Sequence, residues 1–131
     1  MEDRSLWDVV IADDEPDNVG VLELVLQFHG AQVRVASSGQ ECLALLEQRI
    51  PSVVLVDIQM PVMSGFELLE RIRQRDIWRD LPVIAITAHV RQEDQEQIKA
   101  AGFDGYIGKP VNVVTLVDEI NQAIQAKGRA K

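Results

Sequence analysis

Chemically reactive side chains follow several short apolar runs of this sequence. They are Asp13-Asp14-Glu15, Asp57, Thr87-Ala88-His89 and Lys109-Pro110. A carboxylate at the end of an apolar segment is expensive to bury unless another group pairs with it. Asp57, which ends the run Val53–Val56, raises this problem most sharply. Its charge is either exposed at the end of a strand or required there.

The three aspartates predict a binding site for a divalent cation. Two unit charges about 4 Å apart repel by roughly 4 kcal/mol at an effective dielectric near 20, so Asp13, Asp14 and Asp57 need a counter-ion if they share a pocket. Lys109 alone cannot neutralise them. Oxygen donors without sulfur favour a hard cation, and an open site with few protein ligands favours Mg²⁺.

A carboxylate beside Mg²⁺, a hydroxyl and an ammonium group is suited to phosphoryl transfer. The metal and Lys109 can neutralise phosphoryl oxygens while Thr87 donates a hydrogen bond to one of them. The carboxylate of Asp57 can then attack phosphorus and form an acyl phosphate. The alternative, that these acids merely end strands, does not explain why acids, Thr87 and Lys109 fall at the same edge.

That edge follows from the predicted elements. Short runs, several of them rich in Val and Ile, predict strands at Trp7–Ala12, Gln32–Ala36, Val53–Val56, Pro82–Ile86 and Gly105–Ile107. Helical patterns lie between or after them at Pro16–His29, Gly39–Gln48, Gly65–Arg75, Arg91–Ala101 and Val113–Ala126. Such alternation indicates an α/β fold with a parallel sheet covered by helices on both faces. Ligands of such folds bind at the carboxyl ends of the strands.

Along nearly its whole length the chain resembles the receiver domain of response regulators in two-component signalling, the CheY-like family. The resemblance is carried by Asp13-Asp14, Asp57 with Met60-Pro61 and Gly65, Thr87-Ala88, and Lys109-Pro110 in this order. It implies a doubly wound, flavodoxin-like sheet of five parallel strands in the order 2-1-3-4-5, flanked by five helices. The expected receiver domain spans residues 1–126, with a short tail over 127–131 and no effector domain.

The resemblance also implies the role of each site residue. Asp57 is the expected phosphoacceptor. Asp14, Asp57 and the backbone carbonyl of Gln59 are the expected Mg²⁺ ligands, and Asp13 is expected to act through a metal-bound water. Lys109 is expected to pair with a phosphoryl oxygen.

Two further expectations concern the response to phosphorylation and the backbone at Lys109. The resemblance implies that Thr87 moves toward the phosphoryl group and that Tyr106 turns inward with it. The peptide bond between Lys109 and Pro110 is usually cis in this family.

The implied function is a phosphorylation-activated switch that uses Mg²⁺ to catalyse its own phosphorylation and dephosphorylation. The expected partners are a sensor histidine kinase or histidine phosphotransfer protein and a downstream protein target. A phosphorelay intermediate, or the receiver part of a larger hybrid kinase, is the alternative. The protein is expected to be a monomer or a phosphorylation-dependent dimer.

Three other functions fit the residues less well. A phosphohydrolase of the haloacid dehalogenase type would have a second aspartate at position 59, where this chain has Gln59. A flavodoxin-like nucleotide or flavin binder needs a phosphate loop after the first strand, and Asp13–Pro16 would repel phosphate. A scaffold without the chemistry would not need Asp57, Thr87 and Lys109.

Composition bounds the remaining possibilities. The 131 residues are 47% hydrophobic with a net charge of -8, which suits one globular domain and argues against nucleic acid or anionic lipid as partners. The first five residues lack the pattern of a signal peptide, and no apolar run approaches a membrane span of about 20 residues. A cytoplasmic location is therefore the expectation.

Two helices predict contact surfaces. Apolar residues of the first helix cover an arc of roughly 220°, more than one sheet face can bury. Either the last helix and loops cover the excess, or Leu22 or its neighbours contact a kinase or phosphotransfer helix bundle. The fourth helix has only Ile98 as a large apolar anchor. Weak anchoring between Thr87 and Tyr106 suits a population shift, and the face formed by helix four, strand five and helix five is the expected output surface.

Two residues near Asp57 and Thr87 leave a choice of roles. Gln59 either tunes acyl phosphate hydrolysis or is a solvated loop side chain. His89 either contacts the phosphoryl water or a partner, or is an exposed loop histidine, and the exposed histidine is the expectation.

Overall fold

The computed structural model describes residues 7–129 and has the predicted architecture. Five parallel strands form one sheet in the order 2-1-3-4-5. The strands are β1 (Asp8–Ala12), β2 (Gln32–Ala36), β3 (Val53–Asp57), β4 (Val83–Thr87) and β5 (Gly105–Gly108). The expectation about the first five residues lies outside the described part of the chain.

The register of the sheet places the reactive residues at one edge. Asp57, the last residue of β3, is paired with Ile86 of β4, and Thr87, the last residue of β4, is paired with Gly108 of β5. The ends of these strands therefore lie side by side. Asp13 and Lys109 directly follow β1 and β5. The predicted gathering of these groups at the carboxyl edge is confirmed.

Five helices connect or follow the strands. They are α1 (Pro16–Phe28), α2 (Gly39–Gln48), α3 (Gly65–Arg73), α4 (Gln92–Ala101) and α5 (Leu116–Arg129). None of the helices described between residues 7 and 129 has the length and apolar content that a membrane crossing requires.

The predicted limits of two helices were wrong by several residues. Helix α3 ends at Arg73 rather than Arg75, and a short 3-10 helix follows at Asp76–Trp78. Helix α5 begins at Leu116 rather than at Val113, because residues 113–115 form a turn in which the Asn112 side chain accepts a hydrogen bond from the Val114 N–H. It then continues past the predicted end at residue 126 as far as 129, and residues 130–131 of the expected tail are outside the described part.

Two hydrophobic clusters cover the two faces of the sheet. One includes Leu46 of α2, Ile72 of α3 and Ile98 of α4. The other includes Leu22 of α1 and Ile120 of α5. Consecutive strand residues contribute to opposite clusters because strand side chains alternate between the faces. Helices therefore cover both faces, as predicted from the apolar strands.

Helix α1 corrects one prediction. Leu22 is fully buried and cannot contact a partner. The excess apolar surface lies instead on Val21, Leu24 and Phe28, of which Leu24 and Phe28 are 72% and 69% exposed. The structure thus confirms that one sheet face cannot bury the whole helix, and it moves the exposed part away from Leu22.

Helix α4 is anchored as predicted, because Ile98 is its one buried residue. Its other side chains are polar or small. Few buried apolar contacts give a helix a low free energy of local opening.

Edge strand β2 departs from the expectation of apolar strands, since Arg34 lies in its middle. The guanidinium donates to both carboxylate oxygens of Asp8 at 3.2 Å and to the carbonyls of Leu45 and Arg49 at 2.9 Å. Arg49 also donates to Asp8 at 2.6 Å. Arg34 therefore fastens β2 to β1 and satisfies carbonyl groups at the end of α2.

We predict that Arg34→Met lowers the free energy of unfolding by about 1 to 3 kcal/mol, because it leaves partly buried acceptors without a donor. Urea unfolding followed by circular dichroism measures the change. Arg71→Met is the matched control, since Arg71 makes a surface pair with Glu67 at 4.0 Å. The control should change stability by less than about 0.5 kcal/mol. Equal losses in the two variants would contradict the role given to Arg34.

Candidate functional site

The carboxyl edge of the sheet holds a compact acidic cluster. One carboxylate oxygen from each of Asp13, Asp14 and Asp57 lies within 4.8 Å of the other two. Asp13 and Asp57 are buried, whereas Asp14 is exposed. The predicted proximity of the three acids is confirmed, and the cluster is open to solvent on the side of Asp14.

The segment after β3 holds Asp57 in place. The backbone N–H of Gln59 donates to Asp57 Oδ1 at 3.0 Å, and the N–H of Gly65 donates to the carbonyl of Ile58 at 2.9 Å. A Cβ at position 65 would lie 2.7 Å from the carbonyl oxygen of Asp57. Glycine at this position therefore lets the first turn of α3 pack against the backbone of the acidic residue.

Asp13 is held by the start of α1. Its Oδ1 accepts a hydrogen bond from the backbone N–H of Glu15 at 2.9 Å, and its Oδ2 accepts one from the side-chain amide of Asn18. Both oxygens of this carboxylate therefore have a donor. Asp14, the next residue, has no hydrogen bond of this kind among the interactions described for residues 7–129.

Lys109 extends from the end of β5 into the cluster. Its Nζ lies 3.3 Å from Asp57 Oδ2 and 3.2 Å from Glu15 Oε1. The peptide bond between Lys109 and Pro110 is cis, as the resemblance implied. The predicted ammonium group is therefore in contact with the predicted carboxylate.

The surroundings shift the protonation of both charged groups. Burial raises the pKa of Asp57 to about 6, the charge of Asp13 adds to this, and the Gln59 N–H and Lys109 oppose it. Burial alone would lower the pKa of Lys109, but the carboxylates of Glu15, Asp57 and Asp13 outweigh it and raise the pKa above its ordinary value. Asp57 therefore keeps its proton to a higher pH than an ordinary aspartate, and Lys109 keeps its charge.

Thr87 lies at the same edge but does not hydrogen-bond to Asp57 among the described residues. It is buried at the end of β4, and its hydroxyl accepts the backbone N–H of His89 at 2.9 Å. A cavity of about 180 Å³ adjoins Thr87, with Gln59, His89 and Ile98 in its wall. The hydroxyl thus has room to move on the side of α4.

Tyr106, on β5, is 39% exposed. Cavities lie on either side of it, one lined by residues of α4 such as Lys99 and the other lined by residues of α5 such as Gln122. The ring therefore stands between the two helices rather than in the core.

Three contacts at the site were not predicted from the sequence. Asn18 supports Asp13, and Glu15 pairs with Lys109. His89 is exposed, as predicted, but its Nε2 lies 2.9 Å from the side-chain Nε2 of Gln59. Asn18 follows Asp13 by five residues on a predicted helix, a spacing that could have suggested its role. The Gln59–His89 contact had no such signal, since it joins two loops.

The donor set fits a hard divalent cation. Asp57 Oδ2 is buried and accepts no hydrogen bond, although the ion pair with Lys109 lies beside it. A buried carboxylate oxygen without a donor is unfavourable unless a cation completes its coordination. Exposed Asp14 supplies a second anionic oxygen, and every candidate ligand is oxygen, the atom that Mg²⁺ prefers.

Comparison with known proteins identifies the family. The sequence profile described as the response regulator receiver domain matches residues 9–121. The chain belongs to this family. Receiver domains are signalling switches of two-component systems, and they bind Mg²⁺ at an acidic site such as the one formed here by Asp13, Asp14 and Asp57.

Individual relatives agree with this assignment. An uncharacterised 14.6 kDa protein from Leptolyngbya boryana is 38% identical over 122 residues, 93% of either chain. The polar-differentiation response regulator DivK of Brucella anthropi is 32% identical over 112 residues, 86% of this chain and 91% of DivK.

A solved structure shows the same fold. The receiver domain of a sensor histidine kinase from Pseudomonas aeruginosa superimposes with a TM-score of 0.82 at 28% identity, over 91% of this chain and 98% of that domain. That crystal structure has a magnesium ion coordinated in the active-site cleft.

We predict that Asp57→Asn stabilises this receiver domain in EDTA, and that the gain depends on pH. The carboxyl group of Asp57 has a pKa near 3.8 when unfolded and about 6 when folded, so the wild type loses stability as pH rises between these values. Asparagine has no such loss. The variant should therefore exceed the wild type by roughly 2 to 3 kcal/mol near pH 7, and the gain should vanish below about pH 4.

Urea unfolding at a series of pH values measures this difference. Asp118→Asn is the matched control, because Asp118 is exposed on α5. The control should show no comparable gain. A gain for Asp57→Asn that is the same at every pH would contradict the prediction.

Proposed function

We propose that this receiver domain accepts a phosphoryl group on Asp57 from a histidine kinase or a histidine phosphotransfer protein and then signals through protein contacts. The observation that carries the proposal concerns Asp57 Oδ2. This buried carboxylate oxygen accepts no hydrogen bond, and it lies 3.3 Å from Lys109 Nζ. Such an oxygen is available both to a metal and to an electrophile. Residues 1–126 are the proposed receiver domain.

The proposed Mg²⁺ ligands are Asp14, Asp57 and the backbone carbonyl of Gln59. Asp13 acts through water in this proposal. This division is supported by the hydrogen bonds, since both oxygens of Asp13 already accept from Glu15 and Asn18. When bound, Mg²⁺ would neutralise charge on the carboxylates and on the phosphoryl oxygens.

In the proposed step, the Asp57 carboxylate attacks the phosphorus of a phosphohistidine. The bond from phosphorus to the donor imidazole nitrogen breaks, the electron pair leaves with the imidazole, and an aspartyl phosphate forms. Lys109, free to exchange its contact with Asp57 for a phosphoryl oxygen, stabilises the transferred charge. A depressed reactivity is expected at acidic pH, because Asp57 is then protonated.

The proposed switch starts at Thr87. Its hydroxyl leaves the N–H of His89 and donates to a phosphoryl oxygen, and Tyr106 turns inward beside it. Helix α4 is held to the core by Ile98 alone, so its position is the easiest to shift in this part of the fold. The face formed by α4, β5 and α5 is the proposed output surface for a downstream target.

Two related functions differ in the fate of the phosphoryl group, which either stays on this domain until it is hydrolysed or is transferred to another protein. DivK is a response regulator, whereas the relative from Pseudomonas aeruginosa is the receiver domain of a sensor kinase. We propose the terminal regulator, with a phosphorelay intermediate or the receiver of a hybrid kinase as the alternative. The proposed assembly is a monomer or a phosphorylation-dependent dimer in the cytoplasm.

Intact-mass spectrometry tests the chemistry. We predict that incubation with Mg²⁺ and acetyl phosphate adds one phosphoryl group to the wild type and to Asp118→Asn, the control with an exposed acid on α5. No addition is expected for Asp57→Asn, or for the wild type in EDTA. An adduct on Asp57→Asn of equal yield would refute Asp57 as the acceptor. If the wild type forms no phosphoryl adduct and also binds no beryllofluoride, a phosphoryl analogue, the result would instead support a protein that acts only as a scaffold.

A second prediction concerns the phosphodonor. Val21 is exposed on α1, one position from buried Leu22 and in the half of the helix nearer the site. Val21→Glu should slow phosphoryl transfer from a phosphohistidine donor protein by about tenfold, because it removes an apolar contact and adds a charge. The rate of phosphorylation by acetyl phosphate should not change.

Phe28→Glu provides the matched control for Val21→Glu. Phe28 is also exposed but lies about 10 Å further along the helix, since each residue rises about 1.5 Å. Rates with both donors should remain near those of the wild type. Equal slowing with both donors in Val21→Glu would mean that the substitution damages the site itself.

A further inference from the structure

The loop between β3 and α3, residues 58–64, has two buried side chains, Met60 near its start and Met63 near its far end. Met63 is only 4% exposed, whereas its neighbour Val62 is 99% exposed. The loop begins with Gln59, whose N–H binds Asp57, and ends at Ser64, which caps α3. Met63 therefore fixes the part of the loop that the hydrogen bonds at its start do not reach.

Met63 packs into a notch at the start of α2. A Cβ built on Gly39 would lie 2.4 Å from Met63 Sδ, 3.0 Å from its Cγ and 3.1 Å from its Cβ. Carbon atoms in contact are normally about 3.5 to 4.0 Å apart, so a side chain at position 39 would force the Met63 Sδ to move and would press on its Cγ and Cβ. The space occupied by Met63 exists because residue 39 has no side chain.

The backbone beside Met63 is strained. The N–H of Met63 donates to the carbonyl of Pro61 at 2.7 Å, and the intervening Val62 has a φ of 70°. A hydrogen bond between residues two apart around a positive φ is a rare and strained turn, particularly for a β-branched residue. Such a conformation persists only where its surroundings hold it. Val62 is almost fully exposed, so the restraint comes from the buried side chains of the same loop, Met60 and the adjacent Met63.

We propose that Gly39 is a positioning residue for the metal site, which it controls through Met63. The Gly39–Met63 contact holds the strained turn at Val62. That turn holds the loop that carries the Gln59 carbonyl and whose Gln59 N–H donates a hydrogen bond to the carboxylate of Asp57. This proposal rests on the proposed function, because it takes the acidic cluster as a Mg²⁺ site. It assigns a role in that site to a residue of α2, which contributes none of the ligands.

Mg²⁺ affinity in a double-mutant cycle tests the contact. Isothermal titration of MgCl₂ into metal-free protein gives the dissociation constant for the wild type, Gly39→Ala, Met63→Ala and the double variant. Gly39→Ala should weaken binding roughly tenfold, as expected for a residue that orients metal ligands. In the Met63→Ala background, Gly39→Ala should weaken binding by less than about twofold, because the Sδ and Cγ atoms that a Cβ at position 39 would strike are gone and only the 3.1 Å approach to the Cβ of residue 63 is left.

Gly20→Ala is the matched control. Gly20 also lies in the first half of a helix, α1, but a Cβ there would have no atom within 4 Å. Its Mg²⁺ affinity should equal that of the wild type. Melting temperatures in EDTA, measured on the same samples, separate the proposed role from a merely structural one. A structural role would lower the melting temperature of Gly39→Ala while leaving the Mg²⁺ affinity of the folded protein unchanged.

Amide hydrogen exchange of the metal-free protein gives a second readout. Exchange in residues 58–64 should be faster in Gly39→Ala than in the wild type, and unchanged in Gly20→Ala. If Gly39→Ala does not fold, Met63→Ala alone must weaken Mg²⁺ binding and speed this exchange.

The outcomes separate the two proposals. A wild type that binds Mg²⁺, with Gly39→Ala binding equally well, overturns the positioning role and leaves the proposed function standing. Weakening by the same factor in both backgrounds also overturns it. A wild type that binds no Mg²⁺ overturns both.

Discussion

Repulsion among three carboxylates at one edge of the sheet is the constraint on which the rest of this structure depends. Asp13, Asp14 and Asp57 meet there because parallel strands end at the same edge, and Lys109, at the end of β5, is the one cation paired with Asp57 within residues 7–129. Without further compensation Asp57 retains its proton to about pH 6. The protein is therefore least stable in the protonation state that its chemistry needs. A cation, and then a phosphoryl group held by that cation, relieves the same unfavourable interaction in the proposed cycle.

The surrounding loops are built to hold this unfavourable arrangement. Two of the three acids have backbone support close by in the chain, the Glu15 N–H on Asp13 and the Gln59 N–H on Asp57. Glycine at position 65 admits the first turn of α3, and glycine at position 39 admits Met63. Strain at Val62 lies in the same loop. Rigid support on the α2 and α3 side contrasts with the single apolar anchor of α4, so the site has one fixed wall and one movable wall.

The parallel sheet and the acidic cluster could be predicted because both follow from patterns that are local in the chain, whereas the strand order came from the family resemblance. Apolar runs located the strands to within a residue or so, and the reactive residues at their ends followed from the parallel topology. What could not be predicted depends on three-dimensional packing. Leu22 was named with its neighbours as a candidate contact of α1, because an apolar arc does not reveal which part of it faces the sheet. Arg34 broke the expected pattern of β2, since its partners lie on β1 and α2. The Gln59–His89 contact joins two loops that no periodicity relates.

The single anchor of α4 has a consequence for the diversification of this protein. Because only Ile98 of that helix is buried in the core, most of its residues face solvent and have few packing constraints. Substitutions on its outer surface therefore leave the chemistry at the opposite wall of the site untouched. Recognition of a target and reactivity of the aspartate are thus encoded by separate sets of residues. A lineage that duplicates this gene could rewrite the first set while inheriting the second unchanged.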